Sequence, residues 1–136
     1  LETSKNRHAG YWGELMSGFC LERGIEGVVV DGGVRDPYFM WKLGFNVFAA
    51  FACPNEADTR SRLDSFQEPI AINNVPIRPG DFIVGDFGGV VVVPQEIVEG
   101  VHQKMQELMT RESELRKLIR QGISGAEAVR RFGRSI

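Results

Sequence analysis

The most informative part of the chain reads Ile25-Glu26-Gly27-Val28-Val29-Val30-Asp31-Gly32-Gly33-Val34-Arg35-Asp36-Pro37. Its first six residues are mostly apolar and rich in β-branched side chains, which predicts a short buried strand over 25–30. The segment 31–33 then predicts a turn. Asp36 and Pro37 are typical of the N-cap and the first position of a helix, which we expect to end at Gly44. A strand, a turn and a helix in this order are typical of an α/β domain.

The elements predicted on either side of this unit alternate first, and strands then cluster, which favours a mixed α/β domain. Upstream, we expect an amphipathic helix over 12–23 that ends at Gly24. Downstream, the predicted elements are a strand over 45–51, an irregular connection over 55–67, a hairpin of 69–72 and 75–77 around Asn73-Asn74, strands over 82–84 and 90–93, a long helix from 94 past 110, and two short helical patterns within 113–132.

Composition excludes several classes of protein. The 136 residues are 43% apolar and 25% charged, as in an ordinary soluble globular domain. No apolar run approaches the roughly 20 residues that span a bilayer, so we expect no membrane partner. The net charge of −2 gives no reason to expect nucleic acid as a partner. Cys20 and Cys53 have no partners at metal-ligand spacing, and we interpret them as small buried hydrophobic residues in a reducing cytoplasm.

Arg35 and Asp36 are the first candidates for a functional role. They follow the predicted strand at its carboxyl end, where open α/β sheets tend to bind ligands. The planar guanidinium of Arg35 suits a carboxylate, and the hard oxygens of Asp36 suit Mg²⁺. Gly32 and Gly33 would let a ligand approach the backbone closely. Taken by itself, the segment is also typical of a turn with a surface ion pair, and both interpretations stay open at this point.

Glu14 adds a group at the start of the predicted upstream helix, where free N–H groups and the helix dipole favour anions. Twenty residues separate Glu14 from Arg35. Gly-Glu, twenty residues and then Arg-Asp is the pattern of the RraA-like family, which includes 4-hydroxy-4-methyl-2-oxoglutarate aldolases, and the chain resembles that family over about residues 9–120. The matching segments are Trp12-Gly13-Glu14-Leu15, Gly27-Val28-Val29-Val30-Asp31-Gly32, Val34-Arg35-Asp36, Val47-Phe48-Ala49, Pro79-Gly80-Asp81 and Gly89-Val90-Val91-Val92-Val93-Pro94.

The resemblance implies a role for each matched polar residue. Asp36 would coordinate a Mg²⁺ (or Mn²⁺) ion, and Arg35 would bind the substrate near its keto-acid end. Glu14 would orient a water molecule that binds the metal. The pyruvate carboxylate would be held by the backbone amides of Gly13, Glu14, Leu15 and Met16.

The resemblance also implies an α/β/β sandwich of the swivelling-domain type, assembled as homotrimers or hexamers. In the aldolase branch a neighbouring subunit supplies an acidic residue from its C-terminal helix. Glu112 is the best match for that residue, and Glu114 is the second. We expect a single domain over 1–136 with a C-terminal helical tail over 111–136. The chain looks like the C-terminal part of a longer protein, without the family's N-terminal segment.

The implied function is metal-dependent retro-aldol cleavage of a 4-hydroxy-2-oxo dicarboxylic or tricarboxylic acid, which gives pyruvate and a second oxo acid. The same enolate chemistry would permit oxaloacetate decarboxylation. The alternative is a non-catalytic protein regulator of ribonuclease E, since such regulators share much of the motif. An unassigned enzyme of related chemistry, or a fragment that is inert without its upstream part, also stays open.

The chain departs from the family pattern at four places. Asn46 stands where the family usually has Pro, and Ala50 where Arg is common. Asn73-Asn74 replaces Gly-Gly, and Gly88 replaces an Asp. None of these is an implied metal or pyruvate group, but Ala50 and Gly88 leave the substrate preference and the interface details open.

Overall fold

A parallel three-stranded sheet organises Leu1–Pro94, the first of two units into which the chain divides. The computed structural model describes residues 1–133. In the sheet, β2 (Gly27–Val34) lies between β1 (Gly10–Trp12) and β3 (Asn46–Ala52). Parallel neighbours need crossover connections, which two helices supply. They are α1 (Glu14–Leu21), between β1 and β2, and α2 (Pro37–Leu43), between β2 and β3.

The core of this unit forms where α2 packs on the central strand. Val30 and Val34 of β2 and Met40 of α2 are almost completely buried against one another. Trp12 packs against this cluster, and its ring stacks on Phe45 with 6.1 Å between centroids. The end of β2 is therefore anchored in the core by Val34.

Two antiparallel hairpins complete the first unit. One pairs β4 (Ile70–Ile72) with β5 (Val75–Ile77), and the other pairs β6 (Phe82–Asp86) with β7 (Gly89–Val93). The ring of Phe48 in β3 lies against Gly85 of β6, where a Cβ atom would approach the ring to 2.5 Å. This contact places the β6–β7 hairpin against the sheet as a second β layer, which agrees with the predicted α/β/β fold.

The second unit begins at Gln95 and is helical. A 3₁₀ turn (Gln95–Ile97) leads into α3 (Val98–Arg120), and α4 (Gly125–Phe132) follows. Ser124 caps α4, because its side chain accepts a hydrogen bond from the Glu127 N–H at 3.2 Å. Within residues 1–133, no helix is both long and apolar enough to cross a membrane.

Several predicted elements are confirmed. Helix α2 ends at Gly44, which adopts the left-handed conformation with φ 73°. The hairpin around Asn73-Asn74 is present, and both asparagines have positive φ, as a tight two-residue hairpin turn requires. The connection over 55–67 is irregular.

Several predicted boundaries are wrong, and two of them are helix ends: the first helix ends at Leu21 and not at Gly24, and α3 begins at Val98 and not at 94. Trp12 belongs to β1, and the first helix begins at Glu14, because pairing with β2 overrides the apolar helical pattern. Strand β2 continues to Val34 with a register irregularity after Val30, so 31–33 is not a turn. The first short helical pattern of the tail is the last part of α3, which continues to Arg120. The prediction of one domain over 1–136, with a tail from 111, stays a prediction.

Replacing Met40 tests the location of the core. Met40→Ala should lower the free energy of unfolding by about 2–5 kcal/mol, because it leaves a cavity between α2 and β2. Lys42→Ala removes a side chain of similar length from the exposed side of the same helix and should change stability by about 0.5 kcal/mol or less. Urea unfolding followed by circular dichroism measures both. Equal losses in the two variants would contradict this core.

Candidate functional site

Arg35 and Asp36 lie directly after the end of β2. The Arg35 N–H donates to the Trp12 carbonyl at 2.7 Å, which extends the pairing of β2 with β1. Asp36 then adopts the left-handed conformation, with φ 52° and ψ 40°. Asp is one of the few residues other than glycine that enter this region without a large penalty. Asp36 is the N-cap of α2 as predicted, but its side chain makes no capping hydrogen bond to that helix. Its carboxylate is therefore not used by the start of α2.

Two glycines let these side chains lie against the neighbouring segment. A Cβ atom at Gly10 would come within 2.5 Å of the Arg35 Cγ and 2.8 Å of the Cys53 carbonyl oxygen. A Cβ atom at Gly13 would lie 3.0 Å from the Asp36 Oδ2. Glycine at both positions thus lets the Arg35 and Asp36 side chains lie directly on β1 and on the segment that follows it. Sequence reasoning missed Gly10, because β1 is only three residues long and follows a polar segment without periodicity.

The start of α1 presents its free amides at the same place. The Ser17 N–H donates to the Gly13 carbonyl at 3.1 Å, and the amides before it have no acceptor within the helix. The Glu14 N–H points to the Asp36 Oδ2 at 3.5 Å, the outer limit of a hydrogen bond. An anion at this helix end would therefore meet unsatisfied donors and a favourable dipole.

A buried hydrogen-bond chain holds this amide edge in place. The Trp12 Nε1–H donates to the Ser17 Oγ at 2.9 Å, and the Ser17 hydroxyl donates to the Gly13 carbonyl at 3.0 Å. Ser17 is completely buried. The indole that stacks in the core thus fixes the position of Gly13. Sequence reasoning did not single out Ser17, because one small polar residue in an amphipathic helix gives no signal.

These groups surround one open cleft of about 660 Å³. It brings together all the predicted residues of the first unit: Gly13, Glu14, Leu15, Met16, Arg35 and Asp36. Apolar walls come from aromatic and long aliphatic side chains. Glu56 and Asp58, from the irregular segment after β3, also line the cleft and were missed, because nothing in a polar loop distinguishes them. Glu56 accepts a charged hydrogen bond from the Arg35 Nη1 at 2.6 Å. The ion pair expected in the alternative interpretation is thus present between Arg35 and Glu56, and both residues line the cleft.

Asp36 is the residue best placed to hold a metal ion. It is exposed and lies beside the amide edge of α1. Among residues 1–133 no group of three or more His, Cys, Asp or Glu side chains is arranged to hold a metal. A single carboxylate nevertheless suits Mg²⁺, which keeps several waters and is commonly bound through one or two carboxylates. The residues present thus fit a hydrated hard cation and do not fit an all-protein cage.

Two predicted features lie elsewhere. Glu112 is in the second unit, on α3, where its carboxylate accepts a hydrogen bond from the Arg116 Nη2 at 2.5 Å. Its predicted role across a subunit boundary stays a prediction. Gly32 and Gly33 lie within β2 and do not open the backbone to a ligand. Gly32 contacts the Thr3 side chain, and a Cβ atom at Gly33 would lie 2.6 Å from the Ala9 carbonyl oxygen. Their role is to let other parts of the chain pack closely.

Comparison with known proteins identifies the family of this chain. A family model described as RraA-like, Aldolase/RraA, matches residues 2–92. An uncharacterised protein of Methanocaldococcus jannaschii is 36% identical over 113 residues, which cover 82% of this chain and 53% of the relative. A protein of Halalkalibacterium halodurans, provisionally named a 4-hydroxy-4-methyl-2-oxoglutarate aldolase, is 38% identical over 95 residues, which cover 70% of this chain and 45% of the relative. The chain thus spans about half the length of these relatives.

Solved structures agree with this result. An uncharacterised protein of Pseudomonas syringae superposes with a TM-score of 0.90 at 30% identity, over 93% of this chain and 64% of that chain. Streptomyces coelicolor RraAS2, described as an unusual member of the RNase ES inhibitor RraA family, superposes with a TM-score of 0.78 at 26% identity, over 85% of this chain and 59% of that chain. The family model matches most of the first unit, and the fold is shared with these solved structures. The chain therefore belongs to the RraA-like (Aldolase/RraA) family.

Proposed function

We propose that the cleft is the active site of a divalent-metal-dependent aldolase that cleaves a 4-hydroxy-2-oxo acid to pyruvate and a second carbonyl product. One observation supports this most directly. Arg35, Asp36 and the amide edge of α1 line the same cleft, although they come from separate segments of the chain. The provisional aldolase names of several relatives point the same way. Oxaloacetate decarboxylation, which also produces a pyruvate enolate, is a second reaction that the same groups would support.

The protein must carry out three tasks in this reaction. In the retro-aldol step the C3–C4 bond breaks and its electron pair stays on C3, while the C4 hydroxyl loses its proton and becomes a carbonyl. C3 then takes up a proton to form the methyl group of pyruvate. The protein must therefore hold the 2-oxo acid end, receive the hydroxyl proton and stabilise the enolate.

Each of these tasks can be assigned to residues of the cleft. The backbone amides of residues 13–16 would bind the substrate carboxylate at the start of α1. Arg35 would donate its remaining N–H groups to the oxo-acid end, because Glu56 engages only Nη1. Glu14 is half-buried at the N-terminus of α1 and would orient the water that takes the hydroxyl proton. Asp36 would hold Mg²⁺ or Mn²⁺. When bound, such an ion would neutralise the charge that develops on the enolate.

A non-catalytic regulator of ribonuclease E is the second candidate. The likeness to Streptomyces coelicolor RraAS2, whose description names an RNase ES inhibitor family, favours it. A regulator of this kind would inhibit a ribonuclease E-type enzyme and would release no pyruvate from any oxo acid. Measuring both activities on the same preparation separates the two candidates.

The first functional prediction concerns Arg35. With Mg²⁺ present, the protein should release pyruvate from at least one member of a panel of 4-hydroxy-2-oxo acids and oxaloacetate. Arg35→Lys keeps the charge but loses the planar fork, which should cost about 1.5–3 kcal/mol, or roughly ten- to hundredfold in kcat/KM. Coupled pyruvate detection measures the loss. Arg62→Lys, at an exposed position outside the cleft, is the matched control and should behave as the parent protein. Normal kcat/KM in Arg35→Lys would show that Arg35 is structural.

A second prediction concerns the metal. Asp36→Asn preserves the shape of the side chain, and Asn tolerates the left-handed conformation. It removes the negative charge, so Mn²⁺ should bind at least about tenfold more weakly. Mutating even a residue that only hydrogen-bonds to a metal ligand commonly lowers metal affinity by that factor. Mn²⁺ titration followed by electron paramagnetic resonance measures affinity without turnover. Asp64→Asn, in the exposed loop after β3, is the control. Unchanged Mn²⁺ affinity in Asp36→Asn would rule out Asp36 as the ligand.

A third prediction concerns assembly. We propose that the active form is a homotrimer or hexamer in which Glu112 of one subunit completes the site of another. Glu112→Ala breaks only an exposed ion pair, so it should lower turnover without dissociating the assembly. Mixing it with Arg35→Ala should restore part of the activity, because a mixed interface can hold one intact copy of each residue. Sedimentation and turnover after verified subunit exchange test this. An active monomer would contradict the proposal. A loss of turnover in Glu114→Ala but not in Glu112→Ala would also contradict it.

A further inference from the structure

Ser17 is the one buried polar side chain among residues 1–133, and the proposed reaction gives it no task. It lies on α1 and is completely shielded from solvent. A hydroxyl is costly to bury unless it forms hydrogen bonds, and alanine would fit the same space while favouring the helix more. Neither the apolar core nor the helix therefore accounts for a hydroxyl at this position.

The hydroxyl of Ser17 joins an indole to a backbone carbonyl. It accepts from the Trp12 Nε1–H at 2.9 Å and donates to the Gly13 carbonyl at 3.0 Å. The same carbonyl accepts the Ser17 N–H at 3.1 Å. A carbonyl oxygen has two lone pairs. Both are thus engaged by donors of one residue, which fixes the direction of the Gly13 carbonyl more closely than the helix bond alone would.

The direction of this carbonyl sets the direction of an amide in the cleft. The Gly13 carbonyl and the Glu14 N–H belong to one planar trans peptide unit, so they point to opposite sides. The carbonyl points into α1 and the N–H points out of its N-terminus, towards the Asp36 Oδ2 at 3.5 Å. Gly13, Glu14 and Asp36 all line the cleft. The buried Ser17 hydroxyl therefore orients the first free amide of the helix.

Gly13 needs such a constraint because glycine is the residue with the greatest backbone freedom. A Cβ atom at this position would lie 3.0 Å from the Asp36 Oδ2, so a larger residue would crowd the carboxylate. Helix α1 has no side-chain cap that would hold its first turn from outside. On the preceding side, the Trp12 carbonyl accepts the Arg35 N–H at 2.7 Å. Ser17 supplies the second restraint, from inside the helix.

The hydrogen bonds of this chain all run in one direction. Trp12 donates to Ser17, Ser17 donates to the Gly13 carbonyl, and the N–H of the same peptide unit faces the cleft. Hydrogen bonds in such a chain polarise one another, and low local dielectric strengthens the effect. Each donor upstream therefore makes the Glu14 N–H a stronger donor to an anion.

From this geometry we infer that Ser17 is a positioning residue that, together with Trp12, orients and polarises the Glu14 N–H for the carboxylate of the oxo-acid substrate. The inference rests on the proposed function and deepens it. Ser17 does not touch the substrate, and it acts through the Gly13–Glu14 peptide unit. Its effect should appear in binding, because a carboxylate that takes no part in bond breaking is held equally well before and during the reaction.

Replacing the hydroxyl tests this role. Pyruvate is the probe, since it carries the oxo-acid end and needs no turnover. With Mg²⁺ present, calorimetry should show that Ser17→Ala binds pyruvate about three- to tenfold more weakly, which corresponds to one ordinary hydrogen bond. In turnover of a 4-hydroxy-2-oxo acid, KM should rise by a similar factor while kcat stays near that of the parent protein.

Two further variants separate orientation of the amide from stability of the fold. Ser17→Ala leaves the Trp12 N–H without its acceptor and should lower the urea midpoint. Adding Trp12→Phe removes that N–H but keeps a ring against Phe45, so the midpoint should recover while pyruvate affinity stays low. Trp12→Phe alone should weaken binding less than Ser17→Ala does. Ser17→Thr keeps the hydroxyl and should bind pyruvate like the parent protein, although its buried methyl group lowers the midpoint.

Ser124→Ala is the matched control. It removes the hydroxyl that holds the N-terminus of α4, outside the cleft, so it should lower stability without changing pyruvate affinity. Unchanged affinity in Ser17→Ala would overturn the inference. Affinity that recovers with stability in the double variant would show that Ser17 is only structural, and a parent protein that binds no pyruvate would also overturn the role. If pyruvate binds as expected but no hydroxy acid or oxaloacetate is cleaved, the proposed function fails and the inference on Ser17 stands.

Discussion

The close approach of β1 to β2 is the constraint on which the rest of the first unit depends. Gly10 is opposite Gly33 in the parallel register, and the side of each glycine where a Cβ would stand is filled by other atoms of the chain. This contact brings the Trp12 carbonyl to the Arg35 amide and sets the point at which β2 ends. The candidate side chains of Arg35 and Asp36, the amide edge of α1 and the segment bearing Glu56 all take their positions from the same pair of strands. A strand of only three residues therefore determines the geometry of the whole cleft.

Much of the fold could be predicted because its signals are local. Pro37 suits the first position of α2 because its φ is fixed and its missing N–H is not needed there. Gly44, Asn73 and Asn74 end the helix and form the hairpin turn through left-handed conformations that few residues adopt readily. The candidate residues Glu14, Arg35 and Asp36 could be found because they form a pattern with fixed spacing. The structure brings all three to one cleft.

The remainder could not be predicted because it depends on pairing between distant segments. Trp12 fits an amphipathic helix by its neighbours, and only the partner strand places it in β1. The strand β2 continues through Asp31-Gly32-Gly33, a sequence typical of a turn, because β1 and β3 both pair with its last residues. Glu56 gave no signal in a polar segment, since its role depends on a backbone bridge to Gly10. In each case tertiary contacts outweigh local preference.

The left-handed backbone of Asp36 limits how this position can vary. A β-branched or bulky residue would strain the turn, whereas Asn would keep its conformation, the start of α2 and the shape of the cleft. Asp and Asn codons differ by one nucleotide. Under the proposed function, a single base change at this position would give a chain that keeps the fold and the anion-binding helix end but lacks the negatively charged ligand. Under that proposal, a binding protein without catalysis is one base change away from a metal-dependent aldolase, with no intermediate that must fold differently.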